Sequence, residues 1–435
     1  MTMRLGADAS VIAASLRARR SGARPASDVV AFAAALLAVQ LAVFLNSYAS
    51  GEPLHVLHYD DEFRYHQPLI EAFAEGGLAG GFEAYSSATT PFFHMTFGML
   101  QASTGLGPWG LLAINVLLST LAATLMFSFL TRNTQDRVLA WLLAGAFALA
   151  PYCFGRAFVL LTESYALLWL LLAFIAFDRW MRTDSPLDVW TSAAFLSLAV
   201  LTRQHFLWIT AWFGILTLAR PMGSLGTRLT SLAAWTLPPL AFTPFLVAWH
   251  GFVPPSFQES NQATAANLRA VLFTYTTLGL YAGLLAPSRL IAFTRNRPAA
   301  CLAAAGLAVA LCVAVGMRFQ VQGTDDGYLW RIAQHTPVVL GVNVLLAGLT
   351  AVGLVEVARA ASDRRYPYIL FVALFSLSFL LVSKNFQKYY EAQLLLVLIW
   401  DISREKARGT VFDQIGRAAW ILMGVVYVIA KAPLR

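Results

Sequence analysis

Apolar and polar positions follow each other along this chain in long blocks, not in the short alternation of a half-buried strand. Apolar stretches recur at residues 29–49, 108–131, 138–155, 164–181, 188–202, 206–219, 229–249, 269–286, 298–317, 336–358, 366–382, 390–402 and 418–432. A helix rising 1.5 Å per residue needs about 20 apolar residues to cross the hydrocarbon core of a bilayer. The pattern therefore predicts an all-α, polytopic transmembrane protein with about thirteen spans. No polar segment between the runs exceeds about 45 residues, too short for a soluble domain with its own core. The organisation expected is a basic segment over 1–28 followed by a single membrane domain over 29–435.

The longest interval between the runs, 50–107, is only partly polar and has structure of its own. In its first half Phe63, Ile70 and Phe73 recur at helical spacing, with Asp61 and Glu62 at the N-terminal end, where the helix dipole favours carboxylates. The second half, "TTPFFHMTFGMLQAS", is strongly apolar yet too short to cross. Aromatics, Met and one His suit a helix lying in the interface. Two interfacial helices are expected here.

Composition agrees with a membrane protein. Of 435 residues, 58% are hydrophobic and 12% charged, against roughly 25% charged in soluble domains. The net charge of +8 does not mark a nucleic-acid binder, because the arginines lie between apolar runs instead of on one face. With Arg4, Arg17, Arg19, Arg20 and Arg24 on the cytoplasmic side, alternating the spans places roughly two thirds of the 31 Lys and Arg in cytoplasmic segments. The 50–107 loop then faces outward. Cys153, Cys301 and Cys312 sit in apolar runs and read as small apolar residues. No CxxC or HExxH is present.

Ionisable groups at the edge of a membrane are costly and mark candidate sites. Asp60, Asp61 and Glu62 are either solvated helix-capping charges or a general base or metal ligand. "FGRAFVLLTESYALL" sets Arg156 and Glu163 at the next outward turn, as a structural ion pair or with Glu163 as a second active-site carboxylate. "VLTRQHFLWI" offers Arg203, Gln204 and His205, either a snorkelling arginine or donors gripping a phosphate. "VSKNFQKYYEAQ" brings Lys384, Lys388, Tyr389, Tyr390 and Glu391 to a late outward rim, as interface anchors or site residues. "QGTDDGYLWR", with Asp325, Asp326 and Arg331, lacks EF-hand spacing and reads as a substrate-facing loop.

Four stretches, in order, resemble the GT-C glycosyltransferases, and among them the alpha-1,2-glucosyltransferases that add the terminal glucose to dolichol-linked oligosaccharide. They are "DDEF" followed by His66 and Gln67, "TTP" at Thr89, Thr90 and Pro91, "LTES" at Glu163, and "TRQHFLW". The resemblance covers the first half of the chain. It implies a GT-C-like fold and a hexosyltransferase moving a sugar from a polyprenyl-phosphate carrier to a glycan or lipid-linked acceptor, with inversion. The basic N-terminus suits a bacterial inner-membrane relative working on the periplasmic side.

Under it, Asp61 is the base, Glu62 or Asp60 orients it, and Glu163 assists. Arg203, Gln204, His205 and Lys388 hold the donor phosphate. His66, Gln67, Thr89, Thr90 and Tyr390 line the acceptor site or lipid groove. No metal is obligatory, with Mg or Mn as the alternative that some relatives use. The partners implied are the lipid-linked donor, the acceptor and membrane lipid, not nucleic acid. Mannosyl or arabinosyl transfer and a lipid-carrier flippase or transporter are the alternatives.

Overall fold

The computed structural model describes residues 25–51, 61–134, 136–220, 225–261, 265–316, 325–380, 382–405 and 409–431. It is an all-α bundle. The apolar stretches picked out above carry helices, from Pro25–Ser50 to Val411–Lys431, except that the 336–358 run opens with a turn and a short hairpin, Val338–Val339 with Val342–Asn343, and becomes helical only at Val344. Without water to satisfy the backbone, a helix is the structure such runs must adopt in a membrane.

Seven helices are long and apolar enough to span: Ala26–Ser50, Pro108–Asn133, Thr162–Thr183, Leu225–Trp249, Leu268–Leu285, Pro298–Val315 and Val344–Ser362. Arg137–Ala148 and Pro151–Phe158 form an eighth if their 60° bend is one broken span. Proline at position 151 cannot continue the preceding helix, which accounts for the break. Pro186–Thr202, Gln204–Ala219 and Tyr366–Phe379 are apolar but shorter. The chain is thus a multi-pass helical membrane protein, and the expected count of about thirteen exceeds what length and apolarity establish.

Local sequence signals set the helix ends. Proline opens Pro108–Asn133, Pro186–Thr202 and Pro298–Val315, where its missing N–H is not needed. Asp136 and Asn343 cap the helices that follow them by accepting from Leu139 N and Leu346 N, each at 3.1 Å. Burial separates centre from periphery: 67% of Thr162–Thr183 is inside the protein, against 17% of Ala26–Ser50 and of Pro298–Val315. The outer two present their apolar faces to lipid. Helices Leu268–Leu285 and Val344–Ser362 pack closely against each other. A side chain at Gly279 or Gly353 would collide with the partner's backbone, at Leu349 O and Tyr275 O respectively. Small residues of this kind let membrane helices approach closely.

The two helices expected in the first loop are present. A π-helical turn, Glu62–His66, runs into Gln67–Glu83, and Phe92–Thr104 packs back against it. Ile70 and Phe73 point inward as the periodicity predicts, whereas Phe63 is half exposed.

The two ends of the bundle differ in charge pattern. At one end Arg289 and Arg359 interlock with Glu356, Asp401 and Glu405. Asp178 there accepts from Trp400 Nε1 and Arg404. The other end carries the acidic loop.

Candidate active site

Helix Thr162–Thr183 begins after Leu161, whose extended backbone (φ −120°, ψ 160°) places Glu163 in the first turn. A carboxylate is favoured there by the helix dipole. The neighbouring helix Pro186–Thr202 ends where Arg203 turns extended (φ −147°, ψ 102°). This exit carries the guanidinium across to the start of the first helix. Arg203 Nη1 lies 2.7 Å from Glu163 Oε1 and 3.1 Å from Thr162 Oγ1. The ring of Tyr389 lies 5.1 Å from the Arg203 guanidinium carbon.

Lys388 enters from a third element, the first turn of Gln387–Ser403. A cation there works against the helix dipole, and two carboxylates compensate. Its Nζ lies 3.6 Å from Glu163 Oε1 and 3.5 Å from Asp61 Oδ2. Asp61 immediately precedes the π-turn Glu62–His66, a helical irregularity found often at functional sites. Its side chain is one-third exposed, whereas Lys388 is almost fully covered. Asp61, Glu163, Arg203 and Lys388, far apart in the chain, therefore meet at one end of the bundle.

Beside them opens a narrow cleft of about 40 Å³ whose polar walls include Arg156, Glu163, Arg203, His205, Lys388 and Gln393. Of the two readings open for Glu163, the ion pair with Arg156 is the one not formed among the described residues; Glu163 pairs with Arg203 and Lys388 instead. Arg156 is only 2% exposed, yet its Nη1 and Nη2 have no hydrogen-bond partner among the described residues. Its short 3₁₀ turn is rigidly held, because Asn115 Nδ2 donates to the carbonyls of Arg156, Ala157 and Val159 at 3.0–3.1 Å. A buried guanidinium with two unmatched N–H₂ groups is a strong anion receptor. The signal in the sequence was an arginine inside the apolar "CFGRAFVLL".

The remaining predicted residues divide. His205 lines the cleft, its ring 5.7 Å from that of Tyr389. Gln204 does not reach it: its amide donates to Ala88 O at 2.7 Å. Thr90 is fully buried and donates to Val200 O at 2.8 Å. Both residues stitch the first loop onto helix Pro186–Thr202 and its exit turn. Tyr390 faces the core, its hydroxyl donating to Asn385 Oδ1 at 3.0 Å. Gln67 bonds Glu71 one turn on, at 3.0 Å.

Glu62 is 5% exposed and accepts from the backbone of Leu160; burial pushes its carboxyl up to about 7. His66 lies 2.8 Å from His94, ring nitrogen to ring nitrogen. Burial lowers His66 to about 4, against an upward pull from Glu163 and Asp61. Asp60 lies outside the described residues. The 325–326 segment pairs in parallel with Asn385–Phe386, directly before Lys388, so that loop does border the site. Among the described residues, no three His, Cys, Asp or Glu converge as a metal site. Comparison with protein-family models and with curated proteins finds no match.

Proposed function

We propose that this protein is a GT-C-like membrane glycosyltransferase of about thirteen spans, facing the periplasm from a bacterial inner membrane. In this reading it moves a hexose from a polyprenyl-phosphate carrier to a glycan or lipid-linked acceptor. The observation that carries the proposal is the excess of buried cationic groups at the cleft. Among the described residues, Arg156, Arg203 and Lys388 line the cleft with one carboxylate, Glu163, and the Arg156 amino groups have no hydrogen-bond partner. A pocket of this kind fits a phosphate, the leaving group of such a donor.

The chemistry follows from the arrangement. The acceptor oxygen forms a bond to the anomeric carbon while the bond from that carbon to the phosphate oxygen breaks, its electron pair leaving with the phosphate. The acceptor hydroxyl proton passes to Asp61, the more exposed acid at the cleft rim. One displacement inverts the anomeric centre. Fixed cations in a low-dielectric site stabilise the departing charge without reorganising. Glu163 holds Arg203 and Lys388 in position, and these cations do the work that relatives of this class assign to Mg or Mn.

The test is turnover of radiolabelled undecaprenyl-phospho-glucose and its mannose and arabinose counterparts by purified protein in nanodiscs, read as release of undecaprenyl phosphate. Asp61→Ala should lower turnover by about 10²–10⁴-fold, the usual worth of general-base assistance. A melting curve of the same preparation checks that the variant is folded. Ion-coupled uptake of solute into vesicles, with no donor turnover, would replace this reading with a transporter.

A further inference from the structure

Behind Asp61 a chain of hydrogen bonds runs through side chains that the reaction above does not use. The Tyr85 hydroxyl is 2.6 Å from Thr89 O and 3.3 Å from His94 Nδ1. His94 Nε2 is 2.8 Å from His66 Nδ1. The Thr89 carbonyl is fixed on both sides, by Gln204 on Ala88 O and by Thr90 on Val200 O.

The direction of every bond in this chain is forced. A carbonyl only accepts, so the single Tyr85 proton goes to Thr89 O. His94 must then donate from Nδ1 to the Tyr85 oxygen, which leaves its Nε2 bare. Since His94 Nε2 accepts, His66 donates from Nδ1, and its own Nε2 is left without a proton. Both imidazoles are buried, and burial holds both in the neutral form at pH 7. The chain ends on a carbonyl, which cannot keep a proton, so it has no exit for one. It is an orienting device, not a proton wire.

We infer that Tyr85 and His94 lock His66 in the Nδ1–H tautomer, so that His66 Nε2 is a permanent hydrogen-bond acceptor beside the Asp61–Lys388–Glu163 cluster. Free histidine prefers the opposite tautomer, so the lock imposes a state that the isolated side chain disfavours. A bare imidazole nitrogen accepts from an N–H or O–H donor and repels an anion. The neighbouring cations Arg203 and Lys388 are already held by Glu163 and Asp61, so the donor left for it on a ligand is a hydroxyl group, and the phosphate is left to Arg156, Arg203 and Lys388. Resting on the transferase reading, that hydroxyl belongs to the acceptor sugar. His66 then touches substrate, while His94 and Tyr85 are positioning residues.

The experiment is 15N NMR of ring-15N-histidine-labelled protein in nanodiscs, with H66N and H94N assigning two of the seven histidines. His66 and His94 are expected protonated at Nδ1 and bare at Nε2, unchanged from about pH 6 to 8. Protonation of His66 at Nε2, or at both nitrogens, overturns the proposal. Tyr85→Phe removes the acceptor for His94 Nδ1–H and should switch both rings to the Nε2–H form; a folded Y85F protein with the wild-type pattern also overturns it. The wild-type spectrum decides alone if Y85F does not fold. With undecaprenyl-phospho-glucose as donor, Y85F should lose about tenfold in kcat with donor KM within twofold. Wild-type protein that turns over no donor sinks the transferase reading, while the spectrum still decides the lock.

Discussion

Replacing Arg156 by Met should make the protein more stable and less active. Arg156 is 2% exposed, and its Nη1 and Nη2 have no hydrogen-bond partner among the described residues. Each orphaned buried donor costs about 1–3 kcal/mol, and more on an ionised group. The Tyr152 ring, 5.8 Å from the guanidinium carbon, returns about 0.5–2 kcal/mol. The net burden is on the order of 2 kcal/mol. Methionine keeps most of the stem's volume without the charge, so R156M should melt a few degrees higher. On a phosphate the same guanidinium forms charge-assisted bonds contributing about 1.5–3 kcal/mol. At about 1.4 kcal/mol per decade, donor kcat/KM should fall roughly tenfold to a hundredfold. Tryptophan fluorescence melts and donor turnover, on the same preparation, give both numbers. A lower midpoint would show that Arg156 has a partner in the resting protein and would refute the argument; unchanged turnover would remove it from the site.

Other perturbations carry different signs. Glu163→Gln leaves the buried Arg203 cation without its counter-charge, a loss of about 3–5 kcal/mol; the melting midpoint should drop, and adding Arg203→Met should recover much of it. Glu62 has its carboxyl raised from 4.5 to about 7 by burial, so the folded state binds a proton that the unfolded state has already lost. Stability should therefore fall as pH rises from about 4.5 to 7 and stay level above, by about 3 kcal/mol at most; melting curves of Glu62→Gln should lack that slope. Gly327 sits at φ +153°, and a Cβ there would lie 2.4 Å from Gln387 Cβ. Gly327→Ala should loosen the 325–328 segment beside Lys388, with increased proteolysis at that loop and reduced turnover.

Much of the fold was legible because a membrane leaves the chain one option. Apolar runs without water must close their own backbone bonds, so run and helix coincide even where Pro186–Thr202 or Tyr366–Phe379 is shorter than a usual span. The neighbourhood of the site was legible for a related reason. Asp61, Glu163, Arg203 and Lys388 are expensive residues at helix ends, and expense marks a position. Partnership was not legible. Whether Glu163 meets Arg156 or Arg203 depends on how the turn at 156–158 is pinned by Asn115, 41 to 44 residues earlier, and on where helix Pro186–Thr202 ends. Side-chain direction was lost in the same way. Tyr390 is two residues after Lys388, which on a helix of 3.6 residues per turn sends it to the opposite side. His94 read as one polar residue in an apolar helix, because its partner His66 lies 28 positions away.

On the transferase reading, the two ends of the bundle separate charges that hold the fold from charges that await a ligand. Helix Gln387–Ser403 carries Lys388 near one end and Asp401 near the other, roughly 20 Å apart at 1.5 Å per residue. Around Asp401, Arg289 and Arg359 meet Glu356, Asp401 and Glu405, and Arg359 also reaches Asp363. Cations there do not outnumber acids, and each of the two arginines meets at least two carboxylates, although Arg289 Nε has no hydrogen-bond partner among the described residues. Around Lys388 three cations share Glu163 and the rim carboxylate of Asp61. One cation in that group, Arg156, has no hydrogen-bond partner for its amino groups among the described residues. Both clusters are buried in the same kind of helix packing, so packing does not explain the difference. The proposed donor phosphate would, because a site whose charges were satisfied in the resting state would have no reason to bind one.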